Sequence, residues 1–354
     1  MNIHIISNDK FVEKFVWLID TMYPQGSNIV YIHSNVGKTK DITSPSVKYI
    51  DAYEEIDFSV LSEKNKVFIH GFYNTSLVRF LVFKCRFLSA DQLVLIIWGA
   101  DLYDARAKLR EPGMHLKVRI NEIIKKRLIK RCNKYMTFAC DDFDLICKWY
   151  GAKGRQFDCI YPTNADVGLL NNLVSEHKKG DETRILLGNS ATPSNQHIQA
   201  IKQLRPFADR NIMVLCPLSY GDMDYAEKVC EIGNKELGWK FKPIREYMSV
   251  EDYSSMLNSV DLAIFYNNRQ QATGNIEILA YLNKKIFVRS DTTTWNHYVR
   301  RDRCRFFDAL RISSMTFEDF ITVNTADLMY NHDYISKIWD ATEIKKLWDV
   351  VMEA

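Results

Sequence analysis

The stretch Asn267-Asn-Arg-Gln-Gln-Ala-Thr-Gly-Asn-Ile-Glu277 holds the side chains best suited to binding chemistry in this chain. It follows an apolar run, Val260-Asp-Leu-Ala-Ile-Phe265, and leads into another, Ile276 to Leu282. A polar loop between a strand end and a helix start is where an open α/β sheet takes ligands. The helix N-terminus adds free N–H groups and a partial positive charge, which suit a phosphate. Gln270, Gln271 and Asn275 supply further donors. Gly274 lets a ligand approach the backbone, and Glu277, one turn into the helix, can accept from sugar hydroxyls.

A second loop of this kind, Leu187-Gly-Asn-Ser-Ala-Thr-Pro-Ser-Asn195, lies in the same half of the chain. Gly188 permits a tight turn, Asn189 offers an amide, and Ser190, Thr192 and Ser194 can cap a helix or donate to phosphate oxygens. It is neither a Walker loop nor a G-x-G-x-x-G fingerprint, and an ordinary Ser-capped turn reads the same way. His197, one turn further, suits packing or capping better than catalysis. In Pro217-Leu-Ser-Tyr-Gly221, Tyr220 can stack on a base and Gly221 again allows close approach. In Arg245-Glu-Tyr-Met-Ser249, the Arg245 guanidinium matches diphosphate oxygens, or it pairs with Glu246 or Glu251 on the surface. Tyr247 is a second candidate for the base.

The first half offers two polar strand ends, Phe68-Ile-His70 and Ile97-Trp-Gly-Ala-Asp101. His70 and Asp101 are the candidate general bases for an acceptor hydroxyl; the alternative is a turn residue. Asp142-Phe-Asp144 and Asp222-Met-Asp224 have the pattern of a metal-holding pair. Both fall at expected helix starts, where Asp caps and complements the dipole, so no metal is expected. The eight cysteines form no C-x-x-C pair and read as scattered thiols in a reducing compartment.

Alternating strand and helix patterns position these residues. Strands are expected at Ile3–Ser7, Ile29–His33, Lys66–His70, Leu93–Trp98, Tyr135–Ala139 and Phe157–Tyr161. Between them, helices are expected at Phe11–Met22, Glu54–Leu61, Asn74–Phe87, Val118–Cys132 and Asp141–Tyr150. Residues 162–183 read as a linker. The pattern then restarts with strands near 184–187, 211–216, 239–241, 260–265 and 285–288. This predicts two doubly wound, Rossmann-like α/β domains facing across a cleft, at 1–165 and 183–330. A C-terminal helix over 331–354 is expected to pack back toward the first domain.

The net charge of +3 hides an uneven distribution. Eleven basic residues fall between Ala105 and Lys134, against Glu111 and Glu122. They include Lys125, Lys126, Arg127, Lys130 and Arg131, and the apolar Leu77–Leu88 stretch lies nearby. Cations beside apolar surface suit an anionic membrane face, at roughly 1 kcal/mol each. Nucleic acid is the rival reading and a solvated helix face the plain one. No apolar run reaches spanning length, and the N-terminus reads as a strand rather than a signal peptide. A cytoplasmic protein is expected.

Taken in order, Trp98-Gly-Ala-Asp-Leu-Tyr103, Leu187-Gly-Asn-Ser-Ala191 with Ser194-Asn-Gln-His197, Pro217–Gly221, Tyr247-Met-Ser249 and Arg269–Ile276 resemble one family. It is that of the TDP-N-acetylfucosamine:lipid II transferases of enterobacterial common antigen synthesis, glycosyltransferases of the GT-B fold. The resemblance implies transfer of a deoxy or amino-deoxy hexose from a TDP-sugar to an undecaprenyl-diphosphate-linked saccharide, for common antigen or O-antigen. It implies a peripheral enzyme on the cytoplasmic face of the inner membrane, without nucleic acid and without a cofactor. The second half would bind the donor, its diphosphate at Gly188–Ser190 and at Gln270–Asn275. Glu277 would hold the ribose or the donor sugar, and Tyr220 or Tyr247 the base. Two other readings stand beside it: a non-catalytic nucleotide-sugar-binding protein, and a sugar-nucleotide epimerase of the same fold.

Overall fold

The structure, a computed structural model, describes residues 1–9, 11–34, 41–99, 101–103, 116–176 and 180–354, without the side chains of 175 and 176. Arg106, Lys108 and Arg110 of the basic stretch lie outside the described residues. The chain divides into one unit of Met1–Asn164 with Ile338–Ala354, and a second of Ala165–Lys337.

The first unit contains β1 (Asn2–Ser7), β2 (Asn28–His33), β3 (Val47–Ile50), β4 (Val67–His70), β5 (Leu93–Ile97), β6 (Lys134–Thr137) and β7 (Arg155–Asp158). They form one parallel sheet in the order β3-β2-β1-β4-β5-β6-β7. Leu93–Ile97 is buried throughout, as a strand covered on both faces must be. One face carries Phe15, Val16 and Ile19 of the helix Val12–Met22, together with Ile344, Trp348 and Val351 of the helix Ala341–Glu353. The opposite face packs on Leu77, Leu81, Leu128 and Ile129.

The second unit contains β8 (Thr183–Leu187), β9 (Ile212–Pro217), β10 (Phe241–Ile244), β11 (Leu262–Phe265), β12 (Lys285–Val288) and β13 (Phe307–Asp308). Their order is β10-β9-β8-β11-β12-β13, again all parallel. This is the doubly wound order, with its reversal between β8 and β11.

Several elements differ from expectation. Residues 54–61 form two short 3-10 turns rather than a helix; the Asp57 carboxylate accepts from the Ser59 N–H and starts a new turn there. Strands β3 and β13 were not foreseen. The expected linker contains a helix, Val167–Glu176, tied to the second unit by hydrogen bonds from Tyr281 Oη to Asn171 Oδ1 (2.6 Å) and from Asn258 Nδ2 to the Leu173 carbonyl (2.8 Å). The return to the first unit comes at 338, so the helix Thr325–Ile338 lies almost wholly in the second.

Trp348 closes the first unit. It is fully buried among Phe15, Phe68, His70 and Tyr161, and its indole N–H donates to the Ile160 carbonyl at 3.0 Å. Trp348→Ala is expected to destabilise the first unit by ~3–5 kcal/mol through the cavity it leaves. Urea unfolding followed by a probe in each unit checks this; a shift of equal size in the second unit would refute it.

Candidate functional site

Three loops meet at the carboxyl ends of β8, β9 and β11, beside the reversal of strand order. The β8 loop begins at Gly188, whose φ of 68° suits glycine. A Cβ there would also overlap the imidazole Nε2 of His197, which is fully buried behind the turn. His197 is therefore a packing residue, as its position suggested. Burial lowers its pKa to about 4 and keeps the ring neutral. Asn195 secures the same loop by donating its amide to the Ser190 carbonyl at 3.0 Å.

Asn189 connects the three loops. Its Nδ2 donates to the Tyr220 hydroxyl at 3.3 Å, and its Oδ1 accepts from Gln271 Nε2 at 3.3 Å. Gln271 in turn accepts from Ser194 Oγ at 2.6 Å. The β8 and β9 loops are joined by main chain as well, with the Ala191 N–H donating to the Tyr220 carbonyl and the Asp222 N–H to the Ala191 carbonyl. Gly221, at φ 119°, allows this: a Cβ would lie 2.8 Å from the Ala191 carbonyl carbon. The backbone that approaches Gly221 is thus the neighbouring loop's.

The helix Thr273–Tyr281 starts from Ala272 in the left-handed region, φ 63°. Gly274 at its first turn is exposed, with nothing close to its Cα face. Gln270 is buried, and Asn275 donates to the Tyr253 hydroxyl at 2.8 Å. Glu277 accepts from the Tyr298 hydroxyl at 2.8 Å. Tyr220 leaves half its surface exposed beside this arrangement, suited to stacking. Arg245 pairs with Glu227 at 2.5 Å, both side chains being largely exposed, and Tyr247 projects into solvent. Neither joins the loops above. Asp222 caps its helix by accepting from the Tyr225 N–H at 3.0 Å, the role a helix start predicts.

In the first unit both candidate bases are buried and already hydrogen-bonded. His70 is 1% exposed and belongs to a buried chain of hydrogen bonds. The Trp98 indole N–H donates to the Tyr161 oxygen (3.3 Å), and the Tyr161 hydroxyl contacts His70 Nδ1. His70 Nε2 meets His4 Nδ1 (3.0 Å), and His4 Nε2 meets Asn28 Oδ1 (3.2 Å). Asn28 Oδ1 only accepts, so His4 donates from Nε2; burial keeps both rings neutral, so His4 Nδ1 accepts from His70 Nε2 and His70 Nδ1 accepts from the Tyr161 hydroxyl. Neither ring nitrogen of His70 is open to an acceptor. Asp101, 2% exposed, is a clamp: its carboxylate accepts from the N–H groups of Trp98 (3.1 Å) and Phe72 (3.2 Å), joining the tips of β5 and β4. Burial raises its pKa to about 6.

The basic helix Leu116–Arg131 is divided in role. Lys125 is buried, paired with Glu122 at 2.9 Å and donating to the Asp101 carbonyl at 2.9 Å. Arg131 donates to the carbonyls of Leu81, Cys85 and Leu88, closing the helix Thr75–Phe83. Both thus leave the expected membrane set. Lys126, Arg127 and Lys130 stay exposed, alongside Leu116, Ile120 and Ile123 at helical spacing, and Phe83 and Phe87 on the preceding segment are exposed too.

The chain is similar over nearly its whole length to solved structures. Sucrose-phosphate synthase from Thermosynechococcus elongatus aligns with a TM-score of 0.66 at 8% identity, covering 99% of each chain. The E. coli trehalose-6-phosphate structure bound with UDP-2-fluoro glucose gives 0.64 at 8%, covering 99% of this chain and 98% of that one. WaaG, a glycosyltransferase involved in lipopolysaccharide biosynthesis, gives 0.57 at 10%, covering 99% and 97%. The fold is the GT-B glycosyltransferase fold, two Rossmann-like units on parallel sheets. Residues 38–321 match the model of 4-alpha-L-fucosyltransferase, glycosyl transferase group 56. The chain belongs to that family and is a glycosyltransferase.

The buried imidazoles make the first unit sensitive to acid. Burial lowers His4 to about 3 and His70 well below its ordinary 6.5. Between 6.5 and the folded values the unfolded chain binds more protons, so stability is full above about pH 6.5 and falls as pH drops. Asp101, raised to about 6, opposes this: its buried charge costs stability above that pH, and protonation relieves the cost below it. Two groups against one leave a net loss of ~2 kcal/mol between about pH 7.5 and 5.5. Urea titrations across that range test it; a flat profile would show that the histidines take up protons in the fold much as they do in the unfolded chain.

Proposed function

We propose that this glycosyltransferase moves an amino- or other 6-deoxyhexose, such as N-acetylfucosamine, from a TDP-sugar to a polyprenyl-diphosphate-linked saccharide. The product would serve enterobacterial common antigen or O-antigen. The observation that carries the donor half is the meeting of the Asn189, Tyr220 and Gln271 side chains at the reversal of strand order, next to the open N-terminus of the helix Thr273–Tyr281. A diphosphate placed between Gly188–Ser190 and Gln270–Asn275 meets N–H groups and the helix dipole, which stabilise the charge that develops as it leaves. The half-exposed Tyr220 supplies a face for the base and Glu277 an acceptor for a sugar hydroxyl. Asp101 acts here as a positioning residue, holding the tips of β4 and β5.

The acceptor half rests on the exposed face of Leu116–Arg131 with Phe83 and Phe87. Apolar groups among Lys126, Arg127 and Lys130 suit the headgroup region of an anionic leaflet. In this proposal the enzyme is a peripheral protein on the cytoplasmic face of the inner membrane, and this exposed face is what supports membrane contact. Among the described residues no helix is long and apolar enough to cross a membrane.

Calorimetry with TDP, UDP, GDP and CMP tests the donor assignment. TDP is expected to bind selectively, and Asn189→Ala to weaken it about tenfold, the worth of a lost hydrogen-bond node. A preference for UDP, or none, would overturn the choice of nucleotide. The acceptor face is tested by replacing Lys126, Arg127 and Lys130 together with Glu. Binding to vesicles containing an anionic lipid should fall at least about tenfold at low salt, and unchanged binding would remove this face from membrane contact.

A further inference from the structure

Strand order reverses in the first sheet as well, between β1 and β4. Loops that leave such a reversal in opposite directions open a crevice at the carboxyl edge, where open α/β sheets take ligands. The two loops here are residues 8–11 and 71–74, and between them they hold one acid, Asp9. Unlike His70 and Asp101, Asp9 is partly exposed. Its Oδ1 accepts from the Phe11 N–H at 2.9 Å and its carbonyl from the Val12 N–H at 3.2 Å. The start of the helix Val12–Met22 thus orients the carboxylate.

Aromatic rings stand next to it. Phe11 meets Trp98 edge-on with centroids 5.6 Å apart, and Trp98 lies 6.3 Å from Tyr73. Tyr73, 45% exposed, and Trp98 both rest against Gly71, where a Cβ would come within 3.1 Å of the first and 3.4 Å of the second. Burial raises the Tyr73 phenol, and the carboxylates of Asp9 and Asp101 add to the rise, which sets Asp9 near this ring. Ring faces with a few placed polar groups are the lining that small ligands use, and a sugar offers both a C–H face and hydroxyls to it.

We infer that Asp9 is the base of the transfer, taking the proton from the acceptor hydroxyl, with Tyr73 and Trp98 as the wall on which the acceptor sugar lies. The inference deepens the acceptor reading above and rests on it. As the acceptor oxygen bonds to the anomeric carbon of the TDP-sugar, the bond from that carbon to the diphosphate breaks. TDP leaves with the electron pair of that bond. The hydroxyl proton passes to an Asp9 oxygen and from there to solvent. A carboxylate has lone pairs for this beyond the one that Phe11 engages. Displacement of this kind inverts the anomeric carbon.

The test is transfer from TDP-N-acetylfucosamine to a polyprenyl-diphosphate-linked saccharide by wild-type protein and by Asp9→Asn. The amide oxygen still accepts from the Phe11 N–H, so the variant removes the base and keeps the turn. Asp9→Asn should lower kcat at least about a hundredfold, the worth of a general base, and leave TDP binding unchanged. The acid limb of the wild-type pH profile, where the base becomes protonated, should vanish in the variant. If Asp9→Asn keeps most of the rate, or loses it with the acid limb intact, Asp9 is structural, and the inference fails while the transfer stands. If wild-type protein moves no sugar between these substrates, the substrate reading fails and takes the inference with it. Should Asp9→Asn not fold, the wild-type product decides alone: nuclear magnetic resonance should show an inverted anomeric centre, and a retained one overturns the assignment.

Discussion

The reversal of strand order between β8 and β11 sends two successive loops away from each other and opens a gap at the carboxyl edge of the second sheet. Asn189 spans that gap: its amide reaches the β9 loop through Tyr220, and its carbonyl reaches the β11 loop through Gln271. Both bonds, at 3.3 Å, are long for neutral partners, so each is individually weak. The rigidity comes from beneath, where His197 and Asn195 fix the turn at Gly188 and the Ala191–Gly221 bridge ties two loops by main chain. A stiff support under a loosely bonded surface suits a site whose polar groups must exchange partners when a substrate arrives. The arrangement thus separates the groups that hold shape from those that meet the ligand.

The first unit solves a different problem. Its sheet buries two histidines between aromatic rings, where a charge would cost several kcal/mol. The solution is a one-way chain of neutral donors and acceptors from Trp98 to Asn28, in which each partner satisfies the next. Trp98 sits at the tip of β5, beside the Asp101 clamp. The orientation of that tip is therefore tied to the protonation state of the interior. An imidazole used in this way has both ring nitrogens engaged inside the unit, despite its place at a strand end.

Much of this was legible in the chain. Apolar runs such as Leu93–Ile97 and Leu262–Phe265 have strand length, and the loops after β8 and β11 announce themselves by glycine and amide content between strand and helix. The node at Asn189 was less legible: its partners lie 31 and 82 residues away, and no local pattern encodes such pairing. Tyr298 gave no signal, since an isolated tyrosine in a polar stretch does not show its burial. The helix at 167–176 has the composition of a linker, since asparagines and Gly168 weaken helix propensity; hydrogen bonds to Asn171 and to the Leu173 carbonyl help hold it in place. His70 and Asp101 were placed correctly at strand ends, but burial decides their roles, and burial is a property of the whole fold.

The same distinction governs the basic helix. Counted along the sequence, its cations form one cluster with a single meaning. In the fold, the helix turns Lys125 and Arg131 inward, where each spends its charge on carbonyl oxygens or on Glu122. Glu122 offsets the charge of Lys125 at close range, while Arg131 keeps its charge but has its guanidinium donors engaged by three carbonyls. Lys126, Arg127 and Lys130 remain in high dielectric, where they attract an anionic surface only within about a Debye length. They share their helix with the exposed Ile120 and Ile123, and apolar contact acts at the same short range. For such a face to dock on an anionic surface, electrostatic attraction and apolar burial would both be needed, since three cations alone are worth only ~3 kcal/mol. The exposed side chains, and not the net charge of the stretch, therefore set how the surface can act.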